Sequence, residues 1–72
     1  MTIEGTVVYK DLEGGFWALL SNDGRQFVPV SPLPENLREQ GKRIVARLAP
    51  VQILSSLQWG EHVEVEHIEA TL

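Results

Sequence analysis

The stretch GGFWALLSNDGRQFVPV, residues 14–30, contains two apolar runs joined by Asn22, Asp23 and Gly24. The runs around Phe16 and Phe27 are rich in aromatic and branched residues, which favour strands, and each is too short for a helix. Asn, Asp and Gly tolerate the backbone angles that a tight turn between antiparallel strands requires. These residues predict a β-hairpin around which the rest of the chain is organised.

Three further strands are predicted from the alternation of apolar and polar residues. They cover residues 3–9, 42–49 and 62–68. The second has Ile44, Ala46 and Leu48 on its inward face and ends at Pro50, and the third has Val63 and Val65 opposite Glu64 and Glu66.

A short helix is predicted between the hairpin and the strand at residues 42–49. Pro34 suits the first position of a helix and Gly41 its end, with Leu33 and Leu37 on the buried side. Residues 51–60 lack a clear period and are predicted to form a loop with some β character.

Five short strands with a helix between the third and fourth predict an all-β, OB-fold-like barrel with one short helix. An SH3-like barrel is the alternative. A chain of 72 residues is too short for two cores, so residues 1–72 are predicted to form one OB-fold-like domain. It has no cysteine, which excludes disulfides, thiolate metal sites and a cysteine nucleophile.

Composition also bears on location and partners. No stretch approaches the ~20 apolar residues that cross a bilayer, and the first residues lack the pattern of a signal peptide, so a cytoplasmic protein without membrane contact is expected. The formal net charge of −4 disfavours a broad phosphate-binding surface, because basic groups drive nonspecific binding to nucleic acid.

Part of the chain resembles the cold-shock family of single-stranded nucleic-acid binders. The similar segments are GTVVY at residues 5–9, GFWALLSNDG at 15–24 and FVP at 27–29. The resemblance implies that three aromatic side chains stack on bases: Tyr9, Phe16 and Phe27.

Three residues depart from the cold-shock pattern. Gly14, Ala18 and Pro29 stand where that family has a basic residue, an aromatic residue and a histidine. The departures remove part of the stacking surface and its adjacent charge. Any binding to nucleic acid is therefore expected to be weak.

Most of the chain also resembles a group of small, uncharacterised bacterial OB-like domains. The shared elements are GFW at residues 15–17, DG at 23–24, LP at 33–34, Gly41, and WG at 59–60 followed by VE at 63–64. This resemblance implies an OB-like fold and no particular activity.

Candidate binding residues fall into two sets. Tyr9, Phe16, Phe27 and Trp59 would form a stacking surface if exposed, because aromatic faces hold the bases of single strands. In a small protein the same side chains are also the main source of core volume. Both interpretations remain open from the sequence.

Arg38, Lys42, Arg43 and Arg47 supply four of the six basic residues and could form an anion-binding edge, with Arg43 and Arg47 as its candidate ligand-binding residues. The alternative is that these two arginines pair across strands with Glu64 and Glu66.

The chain shows no catalytic or metal-binding pattern. His62 and His67 are five residues apart, which places them on opposite faces of a strand and prevents a shared metal ion. Ser55 and Ser56 lie in no nucleophile motif. The sequence therefore predicts a protein that is not an enzyme and carries no cofactor.

Three functional hypotheses follow. The first is a non-catalytic OB-fold binding or interaction module with an unknown ligand or protein partner. The second is a cold-shock-type binder of single-stranded nucleic acid. The third is a structural or self-associating domain, in which apolar residues of the 51–57 segment form a homodimer interface instead of plugging one end of the barrel.

Overall fold

A computed structural model describes residues 1–53 and 59–72. The described residues form five strands and one 3-10 turn, which confirms the predicted all-β architecture. The strands are β1 (Thr2–Lys10), β2 (Phe16–Ser21), β3 (Gln26–Pro29), β4 (Arg43–Pro50) and β5 (Glu61–Thr71), and the 3-10 turn is Glu35–Leu37.

The strands close into a barrel in the order β1, β2, β3, β5, β4, with β4 pairing back onto β1. All pairs are antiparallel except β3 with β5, which run parallel. Closure satisfies most of the strand edges that would otherwise be exposed. The arrangement is compatible with an OB-like fold.

The predicted hairpin is β2 and β3, in which Leu19 lies opposite Phe27 and Leu20 opposite Gln26. Gly24 has φ 89°, a left-handed conformation that favours glycine. The backbone N–H of Ser21 donates to the carbonyl of Arg25 at 2.8 Å, which closes the turn.

Asp23 organises this turn through its carboxylate. The Ser21 hydroxyl donates to it, and the Arg25 backbone N–H donates to it at 3.2 Å. These two hydrogen bonds stabilise the ionised form and hold the pKa of Asp23 below its usual value. The carboxylate therefore contributes to folding stability only while it is ionised.

Because the pKa of Asp23 is lower in the folded protein, the direction in which its contribution to stability changes with pH is known. The contribution of Asp23 is complete above its unfolded pKa of about 3.8 and is lost as pH falls through the lower folded value. We expect Asp23→Asn to destabilise the fold near neutral pH, with a difference from wild type that vanishes in acid. Urea denaturation at several pH values measures this, and Asp11→Asn, in the β1–β2 connection, controls for the change in net charge.

The core lies inside the barrel and matches the predicted inward faces. Leu19, Phe27, Ile44 and Leu48 are fully buried, together with Val7, Ala46 and Val63. Leu33 and Leu37, from the β3–β4 connection, are 2% and 3% exposed and pack against the same cluster. The predicted burial of Leu37 is confirmed.

The predicted helix at residues 34–41 is only the 3-10 turn Glu35–Leu37. Its bonds run from the Leu37 N–H to the Pro34 carbonyl and from the Arg38 N–H to the Glu35 carbonyl. So short a segment has too few hydrogen bonds to offset the cost of nucleating a longer helix. Burial of its two leucines fixes it instead.

β5 extends to Thr71, three residues beyond the predicted end at Ile68. Its pairing with β4 shifts register twice, between Val45 and Ala46 and between Arg47 and Leu48. Each shift adds a residue to β5 without a partner on β4, which resets the alternation of its faces. The strict alternation of apolar and polar residues therefore ends before the strand does, and a prediction based on that alternation makes β5 too short.

The 51–57 segment is described only in part. Val51 is half-buried and Ile53 is 48% exposed, whereas Leu54 and Leu57 lie outside the described residues. The choice between a plug and a homodimer interface stays a prediction. Within residues 1–53 and 59–72, no helix is long and apolar enough to cross a membrane.

Candidate functional site

One surface brings a cation and two aromatic rings together. Lys10 at the end of β1 lies opposite Phe16 at the start of β2, so their side chains share one face of the sheet. The Phe16 and Trp59 rings are 5.9 Å apart, centroid to centroid, in an edge-to-face arrangement. The Lys10 ammonium is 5.2 Å from the Trp59 ring centroid. We call these three half-buried residues the aromatic patch.

The β1–β2 connection sets the position of this patch. Glu13, Gly14 and Gly15 all have positive φ angles, and the Gly15 N–H donates to the Leu12 carbonyl at 2.7 Å. These left-handed residues reverse the chain within a few positions and direct β2 back along β1. The reversal places Phe16 directly beside Lys10.

Gly15 has a second role in this connection. A Cβ at this position would lie 1.8 Å from the Tyr9 hydroxyl oxygen, so the tyrosine ring occupies the space that another residue would fill. Tyr9 also packs edge-to-face on Trp17 with ring centroids 5.2 Å apart. This pair lies on the opposite face of the sheet from Lys10 and Phe16, because neighbouring residues in a strand alternate.

A cleft adjoins the aromatic patch at Phe16. It has a volume of about 420 Å³, and its walls include Trp17, Pro29, Val30 and Arg38. The Arg38 Nε–H donates to the Leu33 carbonyl at 2.8 Å, which anchors the guanidinium at the cleft. The described residues give its other nitrogens no hydrogen-bond partner, so they are free to donate to an anion. We call this the Phe16 cleft.

The structure separates the predicted aromatic site residues. Phe16 and Trp59 meet in the aromatic patch, whereas Tyr9 is 45% exposed on the opposite face. Phe27 is fully buried, and the Arg25 guanidinium lies 5.0 Å from its ring centroid. Its register with Leu19 directs the ring into the barrel, so Phe27 belongs to the core and presents no stacking surface.

Arg43 and Arg47 are engaged elsewhere. Arg43 pairs with Glu4 at 2.5 Å, and Arg47 pairs with Glu69 at 3.0 Å. The alternative prediction, that both arginines pair with carboxylates across strands, is confirmed, but the predicted partners Glu64 and Glu66 are wrong. The bulges of β5 change which of its residues lie beside Arg47. Exposed pairs of this kind contribute about 0.2–1 kcal/mol each.

Of the two cations at the site, Lys10 was not chosen from the sequence, and Arg38 was named there only as a member of the basic cluster. Lys10 could have been found from the shortness of the connection between β1 and β2, because that connection sets the register of Lys10 with Phe16. Arg38 lies in a segment without a repeating pattern, and its position depends on the Leu33 carbonyl. No cluster of three or more potential metal-binding side chains occurs within the described part of the chain.

Comparisons of the chain with protein-family models, with curated proteins and with solved structures found no match. The function must therefore be inferred from the geometry of this surface.

Proposed function

We propose that this protein is a non-catalytic binding module on an OB-like barrel, and that the aromatic patch and the Phe16 cleft form its ligand surface. The ligand class that suits this surface is a flat, unsaturated ring carrying an anionic group. The observation that carries the proposal is the Lys10 ammonium held 5.2 Å from the Trp59 ring, beside Phe16.

The location of the patch supports this proposal. In OB-folds the outer face of the second and third strands, with the loops that follow the first and fourth strands, is the usual ligand surface. Here Phe16 starts β2 and Trp59 lies in the β4–β5 connection. The Phe16 cleft extends the same surface past the end of β3.

The chemistry of the residues supports the ligand class. The exposed parts of Phe16 and Trp59 offer apolar contact to a ring, and stacking on such side chains contributes about 1–3 kcal/mol per base. Lys10, opposite Phe16 on β1, and Arg38, which lines the Phe16 cleft, attract an anion. An uncharged apolar ligand would leave both cations without a partner.

Thymidine 5′-monophosphate is a simple probe with a flat ring and an anion. In a ¹⁵N-HSQC titration we expect shifts at the Trp59 indole N–H, Phe16 and Arg38. Trp59→Ala should weaken binding about fivefold or more, because one stacking contact is lost.

Val45→Ala is the control, since Val45 is a half-buried apolar residue on β4 that lines neither the aromatic patch nor the Phe16 cleft. Binding should be unchanged in this variant. Shifts confined to other surfaces, or equal losses in the Val45 and Trp59 variants, would contradict the proposed site.

Single-stranded nucleic acid is a second candidate ligand, favoured by the two rings and Lys10. Charge limits its affinity: the chain carries a net charge of −4. Arg25, Lys42, Arg43 and Arg47 are already paired with carboxylates. Few cations therefore remain to displace counterions from a strand.

We expect an octamer of thymidine to bind at physiological salt with a Kd of about 10⁻⁴–10⁻⁶ M, measured by fluorescence anisotropy. Lys10→Ala should weaken binding and reduce the slope of log K against log salt by about 0.7–1. Lys42→Ala, which removes a lysine paired with Glu39 at 3.5 Å, serves as the control. Nanomolar binding would show that the charge argument is wrong.

A further inference from the structure

The barrel leaves part of one strand edge without a partner. β5 pairs with β4 from Val63 to Thr71, but its pairing with β3 covers only Glu61–Val63. Within the described residues, no strand pairs with the edge of residues 64–71 that faces away from β4. Such an edge presents backbone N–H and C=O groups to which an extended chain can bind.

A cleft of about 380 Å³ runs beside this edge. One side of the cleft is lined by Pro32 and Leu33, which belong to the connection that follows β3. The other side is lined by Val65 and Ile68 of β5. Both prolines of this connection, Pro32 and Pro34, lack a backbone N–H, so they cannot donate to β5 themselves. The cleft thus offers apolar contact beside an unpaired backbone edge.

Charge selects among the chains that could bind there. Glu64 and Glu66 are exposed, line the cleft, and take part in no ion pair among the described residues. Their carboxylates are available to a cationic partner. Opposite charges on facing positions of paired strands are stabilising, and like charges are destabilising.

We propose that this edge of β5 binds an extended basic peptide segment as an added strand. The backbone of the peptide pairs with residues 64–71, its apolar side chains enter the cleft against Val65, and its lysines or arginines face Glu64 and Glu66. The partner is a different protein with alternating basic and apolar residues. This surface is separate from the aromatic patch and does not depend on the function proposed for it.

A second copy of this chain is a poor occupant for the same reason. Antiparallel pairing of two β5 edges over residues 64–71 would place Glu66 of each copy opposite Glu69 of the other, and pairing centred on Val65 would place Glu64 opposite Glu66, so both registers add repulsion. Charged side chains on an exposed edge are a common protection against such self-pairing. The same glutamates therefore oppose self-association and favour a basic strand.

The test uses an eight-residue peptide of alternating lysine and valine with blocked ends. We expect a ¹⁵N-HSQC titration to shift resonances of residues 64–71, and hydrogen exchange of their edge amides to slow. The same peptide with all its backbone amides N-methylated keeps its charge but has no N–H to donate to the ladder, and should not slow exchange. A glutamate–valine peptide should bind at least tenfold more weakly.

Variants that remove one charge without changing the size of the side chain test the role of the glutamates in peptide binding. Glu64→Gln and Glu66→Gln should each weaken binding about two- to fivefold, as expected for exposed ion pairs. Glu13→Gln, in the β1–β2 connection, should not. The proposal is overturned if the N-methylated peptide protects residues 64–71 equally, or if the lysine–valine peptide leaves them unchanged. Protection that rises with protein concentration alone would identify a second copy as the occupant.

Discussion

Replacing Phe27 by alanine should leave most of the protein unfolded at room temperature. Phe27 is fully buried at the centre of the barrel, opposite Leu19 on the neighbouring strand. Truncating a buried phenylalanine costs about 3–5 kcal/mol, which is comparable with the whole stability that the core of so small a domain supplies. Circular dichroism and urea denaturation measure the loss.

Two further variants make this expectation specific. Phe27→Leu retains an apolar side chain and should fold with reduced stability, because much of the cavity is filled. Phe16→Ala removes a ring that is only half-buried, so it should leave the fold intact while impairing binding of thymidine 5′-monophosphate. A folded Phe27→Ala protein with selective loss of binding would instead make Phe27 a ligand-binding residue.

Replacing Gly60 by alanine should destabilise the barrel by about 1–3 kcal/mol, the usual cost of forcing extra atoms into a packed site. A Cβ here would lie 2.8 Å from the Gln26 carbonyl oxygen and 3.0 Å from its carbonyl carbon. Backbone atoms cannot turn aside as a side chain can. The parallel pairing of β3 with β5 begins at the next residues, Phe27 and Glu61, so the clash acts where the barrel closes.

The melting temperature should fall by about 4–8 °C for each kcal/mol lost in a domain of this size. Gly14→Ala is the comparison variant, since its Cβ would meet nothing within 4 Å although its φ is 89°. It measures the cost of a left-handed backbone without any clash. Unchanged stability in Gly60→Ala would show that the contact with Gln26 is unimportant.

Local chemistry was enough to predict most of the architecture. The hairpin required only Asn22, Asp23 and Gly24 between two apolar runs, because a turn and its flanking strands form from residues close in the chain. The inward face of β4 followed equally directly from Ile44, Ala46 and Leu48, which are fully buried. A period of two determines which side chains share a face, whatever the neighbouring strand.

The candidate site was less predictable, because the exposure of an aromatic side chain depends on the direction of its face. Phe16 and Phe27 have similar sequence surroundings, yet one lies at the surface beside Trp59 and the other lies in the core. The register of β2 with β3 places Phe27 inside. Composition and spacing give no independent measure of which face turns inward.

Partners across the barrel depended on tertiary structure altogether. Arg47 pairs with Glu69, and not with the predicted glutamates, because two register shifts change the alignment of β5 with β4. The meeting of Lys10 with Trp59 and the unpaired edge of β5 likewise require distant segments to be placed together. Alternation along the chain determines which residues share a face of each strand. Bulges and barrel closure determine which faces and edges meet. Both features depend on pairing between residues far apart in sequence, so the tertiary structure alone decides them.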